Sequence, residues 1–237
     1  MTGQAEARDA HVRRVLGHQR LVSLEALAPT VEAVRILRQV EGGQPENCRF
    51  LAIALSNLGI RLSDLGLHQE ALAPSQEAVQ IYRELAKTNL FHGNVLASDL
   101  NNLGLRLSGL GRRQEALAPT QEAVRIRREL VKSNPACLGA LAIVLGNLGL
   151  RYADVDRHQE GLVLGEEALK IYRNLVKVNA VYLDDLALTL SNLSIAYSQQ
   201  GRRHEALATS EQAIKIYLAL AKLNPAYLGD IARLLGI

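Results

Sequence analysis

A block of sequence that returns every 45 residues constrains this chain more than any other feature. The block Glu-Ala-Leu-Ala-Pro begins at Glu25, Glu70 and Glu115, and altered copies begin at Glu160 and Glu205. A fixed period of roughly 20–50 residues is typical of repeat architectures, in which each unit buries its apolar face against its neighbours. The pattern therefore predicts a repeated surface rather than a compact globule built around a single active site.

Each copy begins with the pattern of a helix. In the fourth copy, apolar residues follow steps of four, three and four, which places them on one face of a helix: Leu141, Leu145, Leu148 and Tyr152. Asp156 then interrupts the pattern. In the other copies this position is a glycine, the residue that most readily takes the left-handed conformation at a helix end. These glycines are Gly66, Gly111 and Gly201.

A second helical pattern follows the interruption and ends near Asn134-Pro135, where proline blocks continuation. Leu and Ala dominate the composition and aromatic residues make up only 4% of it, which favours closely packed helices over strands. We therefore predict an all-α fold of antiparallel helix pairs, helix A followed by helix B. Inside helix A, Gly59 and Gly149 predict a close approach of the helix B backbone, because an interior glycine otherwise costs up to about 1 kcal/mol.

The recurring residues carry a family resemblance. Each of the last four copies has a Leu-Gly pair in helix A, a leucine or tyrosine three positions later, and two alanines seven apart in helix B, with Ser194 and Gly161 as variants. This pattern resembles the tetratricopeptide repeat. The usual period is about 34 residues, and the longer period here, with Leu-Asn-Asn-Leu-Gly at 100–104, is similar to the subclass typified by kinesin light chain. The resemblance implies a right-handed α-solenoid, a superhelix of antiparallel helix pairs. It rests on Leu58, Gly59, Leu62, Ala71 and Ala78, on Leu103, Gly104, Leu107, Ala116 and Ala123, on Leu148, Gly149, Tyr152, Gly161 and Ala168, and on Leu193, Ser194, Tyr197, Ala206 and Ala213.

The copies also predict domain limits. Residues 1–24 are expected to form a degenerate capping helix or first half-repeat, because Arg13-Arg14 stands where Leu-Gly is expected. Residues 25–230 form the solenoid. Residues 231–237 match the truncated start of a further repeat, which is either a C-terminal cap or the end of a fragment.

The resemblance also implies a binding site. In the family helix A lines the concave groove, and the position just before each Leu-Gly pair faces the ligand. It is asparagine in every full copy, and an amide, which both donates and accepts hydrogen bonds, suits the main chain of an extended peptide. Alternatively, each amide bonds a neighbouring helix or water. The four asparagines are Asn57, Asn102, Asn147 and Asn192.

Two further rows accompany the asparagines. Three arginines lie four residues beyond them, on almost the same helix face, and would favour an acidic or phosphorylated partner segment. Alternatively, they form an exposed flank balanced by carboxylates. Apolar residues complete the groove, whereas the lysines that a carboxylate clamp requires are replaced at Ile53, Ser98, Ile143 and Leu188. The arginines are Arg61, Arg106 and Arg151, and the apolar residues are Ile60, Leu105, Leu150 and Ile195.

Composition and motifs argue against several functions. A net charge of +3 and few aromatic residues disfavour nucleic-acid binding. Cys48 and Cys137 lie far apart, and no zinc-type spacing of histidines occurs, so we expect neither a metal nor a cofactor. No run of apolar residues approaches the length of a membrane span, and 1–14 does not resemble a signal peptide. We therefore expect a cytoplasmic protein without a membrane interaction.

These features predict a function in binding rather than catalysis. No phosphate loop, nucleophile elbow or acid–base pair is present. The leading hypothesis is a non-enzymatic scaffold or adaptor that binds an extended or helical peptide segment of a partner protein in the groove. The alternative is a structural, self-assembling module, with end-to-end association, or the sensor segment of a larger signalling protein.

Overall fold

The computed structural model describes residues 25, 27–40, 45–89 and 91–236, and these residues form ten α-helices and no strand. The prediction of an all-α fold with helices packed in consecutive pairs is confirmed. The helices are α1 (27–39), α2 (Pro45–Asp64), α3 (His68–Thr88), α4 (Phe91–Gly109), α5 (Arg113–Ser133), α6 (Leu138–Ala153), α7 (His158–Val178), α8 (Leu183–Gln199), α9 (Arg203–Ala221) and α10 (Leu228–Leu235). Helix A is the even-numbered member of each pair.

Helix A ends each time in a left-handed residue, as the sequence predicts. Gly66 has φ 80°, and its N–H donates to the carbonyl of Ser63, while the N–H of Leu67 reaches back to the carbonyl of Leu62 at 2.9 Å. This pair of bonds satisfies carbonyls that the helix end would otherwise leave without donors. Asp156, with φ 64°, takes the same conformation without being glycine. The residues that end helix A in this way are Gly66, Gly111, Asp156 and Gly201.

After α5, α7 and α9, the return from helix B to the next helix A is a short 3-10 turn. Asn134 ends α5 in an extended conformation, and its side chain accepts a hydrogen bond of 3.1 Å from the N–H of Ala136. The same bond recurs at Asn179 and Asn224, at 3.0 Å. Asparagine is suited to this role because its side-chain oxygen reaches the backbone two residues further on. The 3-10 turns are Pro135–Cys137, Ala180–Tyr182 and Pro225–Tyr227.

The two helices of a pair touch where the sequence places small residues. A Cβ on Gly149 of α6 would lie 2.8 Å from the carbonyl oxygen of Gly161 in α7. In the α2–α3 pair, a Cβ on Gly59 would lie 2.4 Å from Oγ of Ser75. The expected close approach of the helix B backbone is thus confirmed at Gly149, whereas at Gly59 the close neighbour is a side chain and the nearest backbone atom of α3, the carbonyl oxygen of Ala71, would lie 3.6 Å from the Cβ. Because the paired residues lie at similar distances from the turn, the two helices run antiparallel.

The chain divides into two compact units, Met1–Ala116 and Leu117–Ile237, with the division inside α5. In the first unit, Leu51 and Leu55 of α2 and Leu100 of α4 are almost fully buried. The second unit has the equivalent leucines of its own helices at the centre of its core, Leu145 in α6 and Leu190 in α8. Each unit therefore buries the same apolar face of helix A, as the periodicity requires.

Aromatic rings join helix B to the start of the following pair at α3, α7 and α9. Tyr82 and His92 have ring centroids 6.3 Å apart in the first unit. In the second unit Tyr217 packs on Tyr227 with centroids 5.9 Å apart. Such ring pairs add about 0.5–1.5 kcal/mol beyond the area they bury. Arg127, which is 5% exposed, stands at the position equivalent to Tyr82.

Proline is accommodated inside helix B. Pro74 lies in the second turn of α3 and Pro119 in the second turn of α5. Near the start of a helix the missing N–H removes fewer internal bonds than it would further along. Pro29 lies in α1, and the expected limit at residue 24 falls outside the described residues.

One sequence-based expectation is wrong. The segment Pro135–Ala153 is, by length and composition, apolar enough to cross a membrane, although no such run was expected. Core helices of soluble proteins also reach this length and apolar composition. In this segment, less than half of the residues are buried. Its helix, α6, packs along α7 in the second unit, which accounts for Leu141, Leu145 and Leu148 on its buried face.

Candidate functional site

The A helices α2, α6 and α8 each expose two apolar residues with an asparagine between them, and α4 has Ser98 in place of the first apolar residue. In α2, Ile53, Asn57 and Ile60 are spaced four and three residues apart, so they lie on one face of the helix. All three are exposed, in contrast to Leu51 and Leu55 on the buried face. We call this face of helix A the asparagine stripe.

The asparagine stripe recurs in every described helix A of full length. Its apolar members have exposed fractions between 37% and 51%, whereas Asn102, Asn147 and Asn192 are partly exposed. Exposed large apolar side chains that form a patch mark binding surfaces more often than isolated ones do. The stripe consists of Ile53, Asn57 and Ile60 in α2, Ser98, Asn102 and Leu105 in α4, Ile143, Asn147 and Leu150 in α6, and Leu188, Asn192 and Ile195 in α8.

In each unit a cavity joins the stripes of two neighbouring A helices. In the first unit, Ile60 of α2 and Asn102 and Leu105 of α4 line a cavity of about 320 Å³. In the second unit, Leu150 of α6 and Asn192 of α8 line one of about 240 Å³, together with Ile195. Two of the four predicted asparagines therefore lie at equivalent places, each beside the apolar residue of the preceding A helix.

Sequence reasoning missed three members of the stripe. Ile53, Ile143 and Leu188 were noted only as positions without lysine, yet each is exposed. The signal was available, because each lies four residues before an asparagine and so one helical turn away on the same face. The apolar character of the stripe is therefore stronger than the four predicted positions alone indicate.

The arginine row is not part of the exposed stripe. Arg106 is 6% exposed, and its Nε donates to Oγ of Ser63 at 2.7 Å and to the carbonyl oxygen of Gly59 at 3.3 Å. The guanidinium of α4 thus lies against α2 and ties two successive A helices together. Burial lowers the pKa of Arg106, and the nearby carboxylates of Asp99 and Asp64 oppose that shift.

Asp99 is the buried carboxylate of this cluster. It is 8% exposed and accepts a hydrogen bond of 2.6 Å from Oγ of Ser56. Burial raises its pKa, while the bond from Ser56 and the charge of Arg106 act in the opposite direction. We call Ser56, Ser63, Asp99 and Arg106 the polar cluster of the first unit.

Arg151 is also buried, at 9% exposure, and its Nε lies 3.2 Å from a carboxylate oxygen of Asp154. Burial lowers the pKa of Arg151, and the charge of Asp154 opposes that shift. Arg61, in contrast, is half-buried. Of the three predicted cations, two are therefore held in packed surroundings, and their role in attracting an acidic partner stays a prediction.

The described residues contain no group of three or more His, Cys, Asp or Glu side chains that could hold a metal ion. Within the same residues, Cys48 and Cys137 are free thiols of intermediate exposure.

Family comparison identifies the repeat. Two tetratricopeptide repeat family models match the chain, one over residues 140–219 and the other over 51–89 and 96–135. Together these segments cover more than half of the chain. No curated protein sequence gives a significant match.

Solved structures share the fold at low sequence identity. The putative kinesin light chain of Podosopora anserina, with nearly identical TPR-like repeats, is 21% identical, with a TM-score of 0.59 over 88% of this chain and 96% of that one. The Rap conjugation gene regulator of plasmid pLS20, solved in complex with the Phr* peptide, is 17% identical, with a TM-score of 0.59 over 88% of this chain and 52% of that one.

A third structure is a signal transduction ATPase with numerous domains, PH0952 from Pyrococcus horikoshii, which has a tetratricopeptide repeat sensor. It is 16% identical, with a TM-score of 0.61, and the match covers 88% of this chain but only 30% of that one. Proteins built from this repeat are typically interaction scaffolds and generally not enzymes. On the matched segments and the architecture together, the chain belongs to the tetratricopeptide repeat family.

Proposed function

We propose that the chain is a non-enzymatic scaffold that binds an extended or helical peptide segment of a partner protein along the asparagine stripes. The observation that carries the proposal is the exposure of large apolar side chains at the same place on α2, α4, α6 and α8. Leaving these side chains in water forgoes about 25 cal/mol for each Å² of apolar surface, which a bound segment recovers in part.

The asparagines supply the polar part of the site. A peptide main chain brings N–H and C=O groups that need partners when they leave water, and an amide side chain serves both. Asn102 shares its cavity with Ile60 and Asn192 shares its cavity with Leu150, so a segment along the stripe meets amide and apolar contacts in alternation. This combination favours a peptide over a sugar or a nucleotide, whose recognition needs more polar or charged groups.

The Rap regulator supports the proposal by analogy. It shares the fold and was solved with a peptide bound. At 17% identity the likeness concerns the fold, so the residues that carry binding here are inferred from this chain alone.

Peptide display followed by titration calorimetry tests the proposal. Random peptides are selected on the purified protein, and the affinity of a selected peptide is compared across two stripe variants, Asn147→Ala with Asn192→Ala, and Asn57→Ala with Asn102→Ala. We expect the pair in the unit that holds the peptide to weaken binding roughly 5- to 100-fold, because each lost hydrogen bond contributes about 0.5–1.5 kcal/mol.

Asn174→Ala is the matched control, since Asn174 is an exposed asparagine of α7, outside the stripe. It should leave the affinity unchanged. Equal affinity in the wild type and in both stripe variants would reject the stripe as the binding site, and a failure to select any peptide would count against the function itself.

A second candidate function is self-association. The short helix α10 exposes Leu228 and Leu235, at 47% and 56%, although its Ile231 is buried. Light scattering across a range of concentrations distinguishes the two functions, because a mass that rises with concentration and falls back on Leu235→Ser supports assembly through α10. A constant monomer mass excludes it.

A further inference from the structure

The cavity of the second unit and the polar cluster of the first unit occupy the same place in the repeat, two periods apart. In the first unit, Arg106 reaches from α4 across to Gly59 and Ser63 of α2. In the second unit, the position equivalent to Arg106 is Ala196 in α8, and Ala196 lines the cavity between α6, α7 and α8. The guanidinium of Arg106 thus lies in the wall of the first unit's cavity of about 320 Å³, whereas the equivalent position in the wall of the second cavity carries only the methyl group of Ala196.

Six replacements make the side chains of the second place smaller or remove a charge, whereas Gln199 stands where the first unit has Gly109. The carboxylate of the first unit becomes a hydroxyl at Thr189, the guanidinium becomes a methyl group at Ala196, and small residues replace the others. A Cβ on Gly146 would meet no atom within 4 Å, so this part of the wall borders open space. The replacements are Ser56 by Gly146, Ser63 by Ala153, Ala71 by Gly161, Ser75 by Gly165, Asp99 by Thr189 and Arg106 by Ala196.

The buried residues of the cavity lining, Gly149, Gly161, Leu162 and Leu193, carry no polar side chain. The two titratable residues of the lining, Asp154 and His158, lie at the turn between α6 and α7. Asp154 lies 3.2 Å from the guanidinium of Arg151, so a second cation would compete with an existing ion pair. A charged side chain would therefore lose hydration without gaining a new partner of opposite charge.

At about 240 Å³ the cavity is smaller than the pockets of roughly 300–1,000 Å³ that hold drug-sized ligands, and its size suits one side chain. Asn192 lies in the same lining, where its amide can bond the main chain beside an inserted side chain. The geometry points to an anchor pocket that takes one uncharged apolar side chain, of the size of leucine, methionine or phenylalanine, from the peptide bound along α6 and α8. This inference rests on the proposed function, whose site it makes more specific.

The test uses single capped amino acids as probes. The ¹⁵N-labelled protein is titrated with N-acetyl-leucinamide, N-acetyl-alaninamide and N-acetyl-argininamide, and the amide signals of Gly146, Gly149, Gly161 and Gly165 are followed by NMR. We expect leucinamide to shift these signals with a Kd in the millimolar range, and alaninamide and argininamide to bind at least about tenfold more weakly. Stronger binding of argininamide, or no binding by leucinamide, overturns the inference.

Ala196→Arg is the plugging variant, because arginine stands at this position in three other copies. It should abolish the leucinamide shifts, and the double variant with Thr189→Asp, which also restores the carboxylate of the first unit, should do the same if Ala196→Arg alone folds poorly. Ser198→Arg is the control, since Ser198 is exposed two residues further along α8 and adds the same charge outside the cavity. Leucinamide binding that persists in a folded plugged variant overturns the inference.

The two failures are distinguishable. If selected peptides bind through Asn147 and Asn192 but leucinamide does not enter the cavity, the anchor pocket is wrong and the proposed function stands. If leucinamide binds and no peptide is ever selected, the pocket stands as a side-chain site and the proposed function fails.

Discussion

Gly149 and Gly161 face each other across the α6–α7 pair so closely that a Cβ on Gly161 would lie 2.5 Å from the carbonyl oxygen of Gly149. Real Cβ atoms do not approach a carbonyl oxygen this closely, so any larger residue must push the two backbones apart. The glycine-lined cavity borders this contact, which links the packing of the pair to its candidate binding site.

Gly161→Ala therefore destabilises the protein. We expect the free energy of unfolding in urea to fall by about 1–3 kcal/mol, as is typical when a packed contact is overfilled. Gly146→Ala is the control in the same pair. It meets open space inside a helix, so replacing glycine there should stabilise by about 0.5–1 kcal/mol. Effects of the same sign for both substitutions would contradict the close approach.

Arg106→Ala tests the polar cluster. Removing the guanidinium leaves Ser63 without its bond and the buried Asp99 without its nearby cation, so we expect a loss of about 1–3 kcal/mol in urea unfolding. Adding Asp99→Thr, which copies the pair Thr189 and Ala196, should restore part of that loss, because no buried carboxylate remains.

Arg61→Ala is the control for this series, because Arg61 stands at the equivalent position but is half-buried. We expect its effect to stay within about 0.5 kcal/mol. If Arg61→Ala lowered the free energy of unfolding as much as Arg106→Ala, the arginines would stabilise the protein through a feature that all of them share. The polar cluster would then not be the cause.

Arg127→Tyr should stabilise the second unit. Tyrosine stands at the equivalent position in three other copies, and Arg127 is only 5% exposed, a burial that lowers the pKa of its guanidinium. Returning to the common residue commonly gains about 0.5–2 kcal/mol. The gain is measured by urea unfolding, with Arg125→Tyr as an exposed neighbouring control that should change little. No gain at Arg127 would mean that its surroundings are shaped for the guanidinium.

Buried tyrosines make the protein sensitive to alkali. Burial raises the pKa of Tyr82, Tyr197 and Tyr217 to about 12, from about 10 in an unfolded chain. Between these values the unfolded state releases phenol protons that the folded state keeps, so stability is full below pH about 10 and is lost as pH rises towards about 12.

Ultraviolet absorbance of tyrosinate checks this expectation. In the native protein a group of tyrosines should titrate only near pH 12 or together with unfolding, and Tyr82→Phe should reduce the amplitude of that late phase. A single phase near pH 10, with the helical circular dichroism intact, would show that the phenols are accessible.

The repeat made much of the fold predictable. Its period placed the left-handed residues at Gly66 and Asp156, and the small residues Gly59 and Gly149 marked where the helices of a pair touch. These are local properties, since a helix end or a close approach restricts which residue can stand at one position. Residues far apart in sequence but equivalent in the repeat therefore indicated the same contact.

The candidate site was less predictable. The spacing that put Arg106 on nearly the same helix face as Asn102 did not show that its side chain turns towards Ser63 of the preceding A helix. The exposure of Ile53 was not predicted, because its position was judged only by the absence of lysine and not by its place one helical turn before Asn57.

By itself the sequence determined the helix pairs, their turns and the faces they bury, because periodicity and residue size act over a few residues of one chain segment. Only the tertiary structure decided that Arg106 bonds Gly59 and Ser63 of the preceding A helix while Ala196 leaves that place to a cavity wall, because this depends on the distance between two A helices separated by a whole repeat. The packing of two successive A helices either brings their side chains within hydrogen-bonding distance or leaves a cavity between them. A pattern within one helix does not indicate which of these outcomes occurs.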